Sequence, residues 1–135
     1  MAATTSEPKQ RPLSPHLTVW RWGPHMLVSI LHRFTGGALS VAGLAILVWW
    51  LTAIADGADA YGAFIKLARH PAGLVVLVGL TWAFFQHLLS GVRHLAMDSG
   101  AGFELGTNKR FAVLTVVGAI VLTVLVWLFF LGVVK

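Results

Sequence analysis

The chain has 135 residues, of which 57% are hydrophobic and 11% are charged. This composition is far more apolar than that of a soluble domain, and it indicates an integral membrane protein with room for a few spans of about 20 residues each. A large soluble catalytic domain is therefore excluded. The absence of cysteine also excludes an iron–sulfur cluster built from this chain alone. The net charge of +5 reflects Lys and Arg at the ends of spans and does not indicate a nucleic-acid partner.

The predicted elements begin with a polar, proline-rich tail at residues 1–25. It has neither the apolar segment nor the cleavage site of a signal peptide, and we expect it to end in an interfacial segment around Trp20, Arg21 and Trp22. The rest of the chain, residues 26–135, is predicted to be a membrane anchor with spans at about residues 26–52, 72–97 and 111–134. Lipid offers backbone groups no hydrogen-bond partners, so each span should be helical. The predicted fold is thus an all-α integral membrane protein with three transmembrane helices.

The distribution of Lys and Arg predicts the orientation. The tail and the second connection contain five of these residues, whereas the first connection and the C-terminus contain three. This bias favours an N-terminus on the cytoplasmic or matrix side. The start of the first span and the end of the second then lie at one membrane level, which brings Ser29, His32 and Arg33 opposite Arg93 and His94.

A histidine inside the second span is the main candidate for a metal ligand. His87 lies deep enough to be within the hydrocarbon, where an ionisable residue usually has a function. Gly91, at i+4 on the same face, leaves a groove in which a flat macrocycle such as haem b could approach the backbone. His94 lies two turns nearer the inner surface, where haem propionates would emerge. The alternative is that His87 only forms a hydrogen bond to another helix.

The first span has a polar face at its inner end. Ser29, His32 and Arg33 occupy positions i, i+3 and i+4, so a hydroxyl and a guanidinium lie one turn apart. Together they could bind a carbonyl oxygen of a quinone and stabilise its charge on reduction. The alternative is that Arg33 extends to lipid headgroups while Ser29 bonds to its own helix. Gly36 and Gly37, which follow, would permit close approach of another helix.

Two parts of the sequence resemble the signature segments of a known family. The first consists of "RPLSPHL" at residues 11–17 followed by "SILHRFTG" at residues 29–36, and the second is "HLLSGVRHLAMDSG" at residues 87–100. Both resemble segments of the cytochrome b subunits of succinate dehydrogenase. The resemblance implies that His87 is one axial ligand of haem b, with the second ligand supplied by a smaller anchor subunit. It also implies that Ser29 and Arg33 contact the quinone.

The same resemblance implies that His32, Arg93 and His94 bind the haem near its propionates. It further implies a heteromeric helix bundle in a bacterial or mitochondrial inner membrane, in which this chain anchors a flavoprotein and an iron–sulfur subunit. Electrons from succinate would reach ubiquinone at the inner surface, and this chain would perform no chemistry on succinate itself. Two alternatives remain open at this point: the anchor of a quinol:fumarate reductase and a haem-free membrane adaptor.

Overall fold

The computed structural model describes residues 22–133. The segment "RPLSPHL" and most of the predicted tail, including Trp20 and Arg21, lie outside the described residues. The described part is mostly helical, and its elements are α1 (Pro24–Ala38), a π-helical turn (Leu39–Gly43), α2 (Leu44–Ala55), α3 (Ala58–Ala68), α4 (Pro71–Asp98) and α5 (Leu105–Val133). No strand occurs between residues 22 and 133, so the all-α prediction is confirmed.

Three helical segments are long and apolar enough to cross a membrane. They are Pro24–Ala55, which joins α1, the π-helical turn and α2, then Pro71–Asp98 and Leu105–Gly132. At about 1.5 Å per residue, each exceeds the roughly 30 Å of the hydrocarbon layer. The prediction of three transmembrane helices is confirmed. Pro24 and Pro71 lie in the first turns of α1 and α4, where a backbone N–H has no intrahelical acceptor, so proline costs no hydrogen bond there. Because α1 begins at Pro24, it includes the last two residues of the predicted tail.

The first connection contains a helix that the sequence analysis did not predict. The 11-residue helix α3 begins after Gly57, whose φ of 102° lets the chain turn sharply out of α2. Phe64 on α3 is buried and packs edge-to-face on Trp49 of α2, with ring centroids 4.9 Å apart. The Gly and charged residues of this connection indicate that the chain leaves the membrane there, and they do not by themselves predict a helix. Packing against neighbouring helices stabilises α3.

Helices α1, α4 and α5 form an antiparallel bundle. His32 and Gly36 of α1 lie beside α4 near Gly91 and His87 respectively, so the two helices run in opposite directions. Helices α4 and α5 are linked near one end by Arg93 and Asn108, and near the other by Trp127 and Thr81, with 3.3 Å between Trp127 Nε1 and Thr81 Oγ1. The N-terminal end of α1, the C-terminal end of α4 and the N-terminal end of α5 therefore meet at one end of the bundle.

Small and polar side chains form the interior of this bundle, and most large apolar side chains are exposed. The buried residues of α4 and α5 are Ala83, Gln86, Ser90, Arg93, Ala112, Thr115, Ala119 and Thr123. Lipid is as apolar as leucine, so large side chains lose nothing by facing it, whereas small ones let helices approach closely. Small and polar side chains therefore make many of the contacts between these helices.

Candidate functional site

His87 lies between α4 and α1, and its Nδ1 atom contacts α1. This atom is 3.1 Å from the backbone oxygen of His32 and 3.3 Å from Thr35 Oγ1. A carbonyl oxygen can only accept a hydrogen bond, so we assign the proton to Nδ1, which donates to it. The other ring nitrogen, Nε2, then has a free lone pair. A metal-bound imidazole has this arrangement, in which one nitrogen donates to the protein and the other is available to the metal.

Two glycines allow this close approach of the two helices. A Cβ atom on Gly36 would lie 3.0 Å from Cε1 of His87, so the ring lies directly against the α1 backbone. A Cβ on Gly91 would lie 3.9 Å from Cε1 of His32, so the groove expected at Gly91 lies beside the His32 ring. A Cβ on Gly37 would have no atom within 4 Å. Close helix approach thus depends on Gly36 and not on Gly37.

Three histidines come together at this point, and we call His32, His87 and His94 the histidine cluster. The rings of His32 and His87 are stacked, with centroids 4.0 Å apart and an interplanar angle of 7°, and the His94 ring centroid lies 5.1 Å from that of His32. His32 Nδ1 is buried without a hydrogen-bond partner among the described residues. No set of three or more His, Asp or Glu side chains within residues 22–133 is arranged to chelate a metal ion. Within the described residues, the histidine cluster is therefore a group of neighbouring imidazole rings and not a chelating set.

Ser29 and Arg33 lie one turn apart on α1, as the sequence predicted, with Ser29 half-buried and Arg33 exposed. Neither side chain forms a hydrogen bond or ion pair with any residue that the structure describes. In contrast, Thr52, Thr81, Thr115 and Thr123 each donate to a carbonyl of their own helix. Within residues 22–133, the alternative in which Ser29 bonds to its own helix is therefore not observed, whereas an exposed Arg33 fits both a quinone contact and extension to lipid headgroups.

Arg93 has a different environment from the histidine cluster. Its side chain is 6% exposed and lies between α4 and α5, where Nη2 donates to Asn108 Oδ1. Its Nε atom is buried and has no partner among the described residues. The guanidinium thus contacts α5, although the sequence analysis grouped Arg93 with His32 and His94.

Sequence reasoning missed Thr35, which contacts His87 and is 3% exposed. Thr35 lies at i+3 from His32, but a threonine in a span commonly bonds only to its own helix. The sequence contains no signal that distinguishes Thr35 from the other threonines. Gln86 was missed for a similar reason: it is fully buried, and its Nε2 donates to Ser90 Oγ over 3.0 Å.

Comparisons with known proteins agree with this architecture. A family model described as the transmembrane subunit of succinate dehydrogenase or fumarate reductase matches residues 7–126. The succinate dehydrogenase cytochrome b556 subunit of Paracoccus denitrificans is 39% identical over 120 residues, which covers 89% of this chain and 92% of that protein. The b556 subunit of Rickettsia conorii is 41% identical over 118 residues, covering 87% of this chain and 91% of the relative.

A mitochondrial relative is also similar, although over a shorter stretch. The human succinate dehydrogenase cytochrome b560 subunit is 35% identical over 97 residues, which covers 70% of this chain and 57% of the human protein. The resemblance drawn from the two signature segments is therefore confirmed over most of the chain. Together with three membrane-spanning helices, these matches establish that the chain belongs to the family of transmembrane subunits of succinate dehydrogenase and fumarate reductase.

Proposed function

We propose that this chain is the membrane-anchor subunit of a succinate:ubiquinone oxidoreductase, in which it supplies one axial ligand to haem b and part of the ubiquinone-reduction site. The observation that supports haem binding best is the hydrogen bond between His87 Nδ1 and the backbone oxygen of His32. It holds the ring in one orientation and leaves Nε2 free to bind iron. Haem b, when bound, supplies a one-electron redox centre, and its second ligand would come from a smaller anchor subunit.

The residues around His87 fit such a group. The ring lies against Gly36, so the α1 backbone limits its movement. The His32 ring stacks on the His87 ring, and the His94 ring lies beside that of His32. We propose that the imidazoles of His32 and His94 bind the haem propionates, which need hydrogen-bond donors near the membrane surface. The family resemblance also assigns Arg93 to haem binding, and this stays a prediction, because its observed hydrogen bond is to Asn108.

We further propose that Ser29 and Arg33 bind ubiquinone. The Ser29 hydroxyl donates to a quinone carbonyl oxygen, and the Arg33 guanidinium stabilises the negative charge that develops there on reduction. Two observations support this assignment: the Ser29 hydroxyl has no partner within the described residues, and Arg33 is exposed without an acidic partner among them. The proposed ubiquinone site therefore lies at the same end of the bundle as the histidine cluster.

The proposed partners rest on the family to which the chain belongs. We propose that an iron–sulfur subunit delivers the electrons to ubiquinone and takes them from a flavoprotein that oxidises succinate; a chain without cysteine is compatible with this division, since it builds no cluster of its own. The excess of Lys and Arg near the tail and the second connection favours these partners on the cytoplasmic or matrix side of the inner membrane.

A reduced-haem spectrum of the purified complex tests the proposal. We expect the dithionite-reduced complex to show the absorption bands of a b-type haem and the His87→Ala variant to lose them or bind haem far more weakly. His70→Ala is the matched control, because His70 is an exposed residue that precedes the opposite end of α4. An unchanged haem band in the His87 variant would remove this residue from the ligand set.

The same experiment separates the proposal from a haem-free adaptor. The haem-free adaptor predicts a hydrogen bond from His87 to another helix, and such a bond is present. The two functions must therefore be separated by experiment. The two functions differ in what Nε2 of His87 binds: iron in the haem-binding anchor, and nothing in the haem-free adaptor. A complex that contains the flavoprotein and cluster subunits but no haem would support the adaptor.

A further inference from the structure

We propose that Thr35 is a positioning residue that orients the imidazole of His87 through its side-chain oxygen and thereby tunes the iron that His87 binds. The inference rests on the proposed function, since it assumes that His87 is an axial ligand. It concerns a residue on α1, whereas the proposed ligand lies on α4.

The contacts of Thr35 support this role. Its side chain is 3% exposed, and Oγ1 lies 2.8 Å from the backbone oxygen of Leu31, 3.1 Å from that of His32 and 3.3 Å from His87 Nδ1. The oxygen of His32 is itself 3.1 Å from His87 Nδ1. Thus Nδ1 faces two oxygen atoms of α1, one from the backbone and one from a side chain.

The positions of the protons follow from the chemistry of these groups. A hydroxyl has one proton to donate and two lone pairs with which to accept. The shortest contact, to Leu31, takes the hydroxyl proton, which leaves a lone pair of Thr35 Oγ1 for the proton on His87 Nδ1. The imidazole N–H is therefore shared between the His32 carbonyl and Thr35, and rotation of the ring would weaken both bonds.

Other buried threonines of the chain show that this contact is not a general property of threonine in a span. Thr115 and Thr123 are 7% and 6% exposed, and their hydroxyls donate to Ala112 and Ala119 of their own helix. Neither hydroxyl forms a hydrogen bond with a titratable side chain among residues 22–133. Thr35 makes the same bond to its own helix and, in addition, contacts His87.

This second contact has a chemical consequence. An acceptor on the non-ligating N–H of an imidazole makes the ligating nitrogen more basic, and such partners commonly change metal affinity by about 10- to 100-fold when removed. A more basic ligand stabilises oxidised iron relative to reduced iron. Thr35 should therefore lower the midpoint potential of the haem and tighten its binding.

The experiment compares variants of the intact complex in membranes. Thr35→Val keeps the shape of the side chain and removes the oxygen, Thr35→Ser keeps the oxygen, and Thr115→Val removes a buried hydroxyl elsewhere. We expect Thr35→Val to raise the midpoint potential in a redox titration and to weaken haem binding about tenfold. Thr35→Ser and Thr115→Val should match the unmodified complex in both measurements.

The outcomes distinguish this inference from the proposed function. If His87→Ala loses the haem while Thr35→Val keeps the unmodified potential and affinity, the role of Thr35 is refuted and the ligand assignment stands. If His87→Ala keeps the haem, the ligand assignment fails, and this inference fails with it.

Thr35→Ala, which also removes the side-chain oxygen, serves as a second variant in case Thr35→Val does not assemble. If neither oxygen-free variant assembles while Thr35→Ser does, the hydroxyl serves the packing of α1 and the proposal is overturned.

Discussion

At the scale of single residues, the environment of His87 explains how an imidazole is kept in an apolar layer. A polar nitrogen without a partner costs free energy in a membrane, and the backbone oxygen of His32 satisfies Nδ1 without adding a charge. The carbonyl is accessible because Gly36 has no side chain at the point where the ring lies. Gly36 and the backbone oxygen of His32 thus contribute to the orientation of the candidate ligand.

Gly36 allows a test of this close contact. In Gly36→Ala, the new Cβ would lie 3.0 Å from Cε1 of His87, closer than most contacts of this kind, so the ring must move by a few tenths of an ångström. We expect a lower haem content per complex, measured from the reduced-haem absorption, because overpacking at a tight contact typically costs about 1–3 kcal/mol. Gly37→Ala is the matched control, since a Cβ there meets no atom within 4 Å. Equal haem contents in the two variants would contradict the structure at this contact.

At the scale of elements, the corner between α3 and α4 shows how a connection acquires a fixed structure. A Cβ on Gly73 would overlap the backbone oxygen of Leu67, so the last turn of α3 packs on the backbone of α4. Phe64 and Trp49 extend this packing to α2. The first span, α3 and α4 are therefore joined by contacts that no periodic pattern in the connection reveals.

The variant Gly73→Ala tests the corner. Its Cβ would meet a backbone oxygen, which cannot rotate away as a flexible side chain can, so α3 must shift from α4. We expect a destabilisation of about 1–3 kcal/mol, seen as a lower Tm of the detergent-solubilised complex. Gly79→Ala, in the same helix and with open space around its Cβ, should leave the Tm unchanged or raise it. A Tm for Gly73→Ala equal to that of Gly79→Ala would show that the corner is not tightly packed.

At the scale of the whole molecule, the antiparallel bundle assembles polar groups from α1 and α4 at one end. Ser29 and Arg33 lie within one turn of His32 on α1, and the packing of α1 on α4 brings His32 to His87. Arg93 and Asn108 join α4 to α5 at the same end. The proposed quinone and haem residues therefore belong to one region, although they come from segments about 60 residues apart in the sequence.

Two activities of the intact complex test the quinone site. Ser29→Ala and Arg33→Leu should each lower the rate of quinone reduction by about tenfold or more, because each removes a group that stabilises charge on the quinone oxygen. Electron transfer from succinate to a soluble artificial acceptor should stay near normal. Ser40→Ala is the control, since Ser40 is an exposed serine elsewhere in the first span. Loss of both activities would instead indicate failed assembly and would contradict the assignment.

Much of this molecule follows from local composition. Three apolar segments predicted three membrane helices, since a backbone in lipid must satisfy its own hydrogen bonds wherever the side chains point. The short helix α3 was missed because its stability depends on Phe64 and Trp49, which come from different helices. The spacing of Ser29 and Arg33 predicted a shared face of α1, because helical periodicity alone sets that relation.

The relations between helices required the tertiary structure. The sequence identified His87 as an intramembrane histidine, but only the packing of α1 on α4 determined which of its nitrogens is engaged and that Thr35 contacts it. The same applies to Arg93, whose guanidinium reaches Asn108 of α5. Burial in lipid is a property of each segment, whereas a contact between helices depends on how each is rotated toward its neighbour. Composition determines which segments lie in lipid, and only the packed bundle decides which side chains meet between helices.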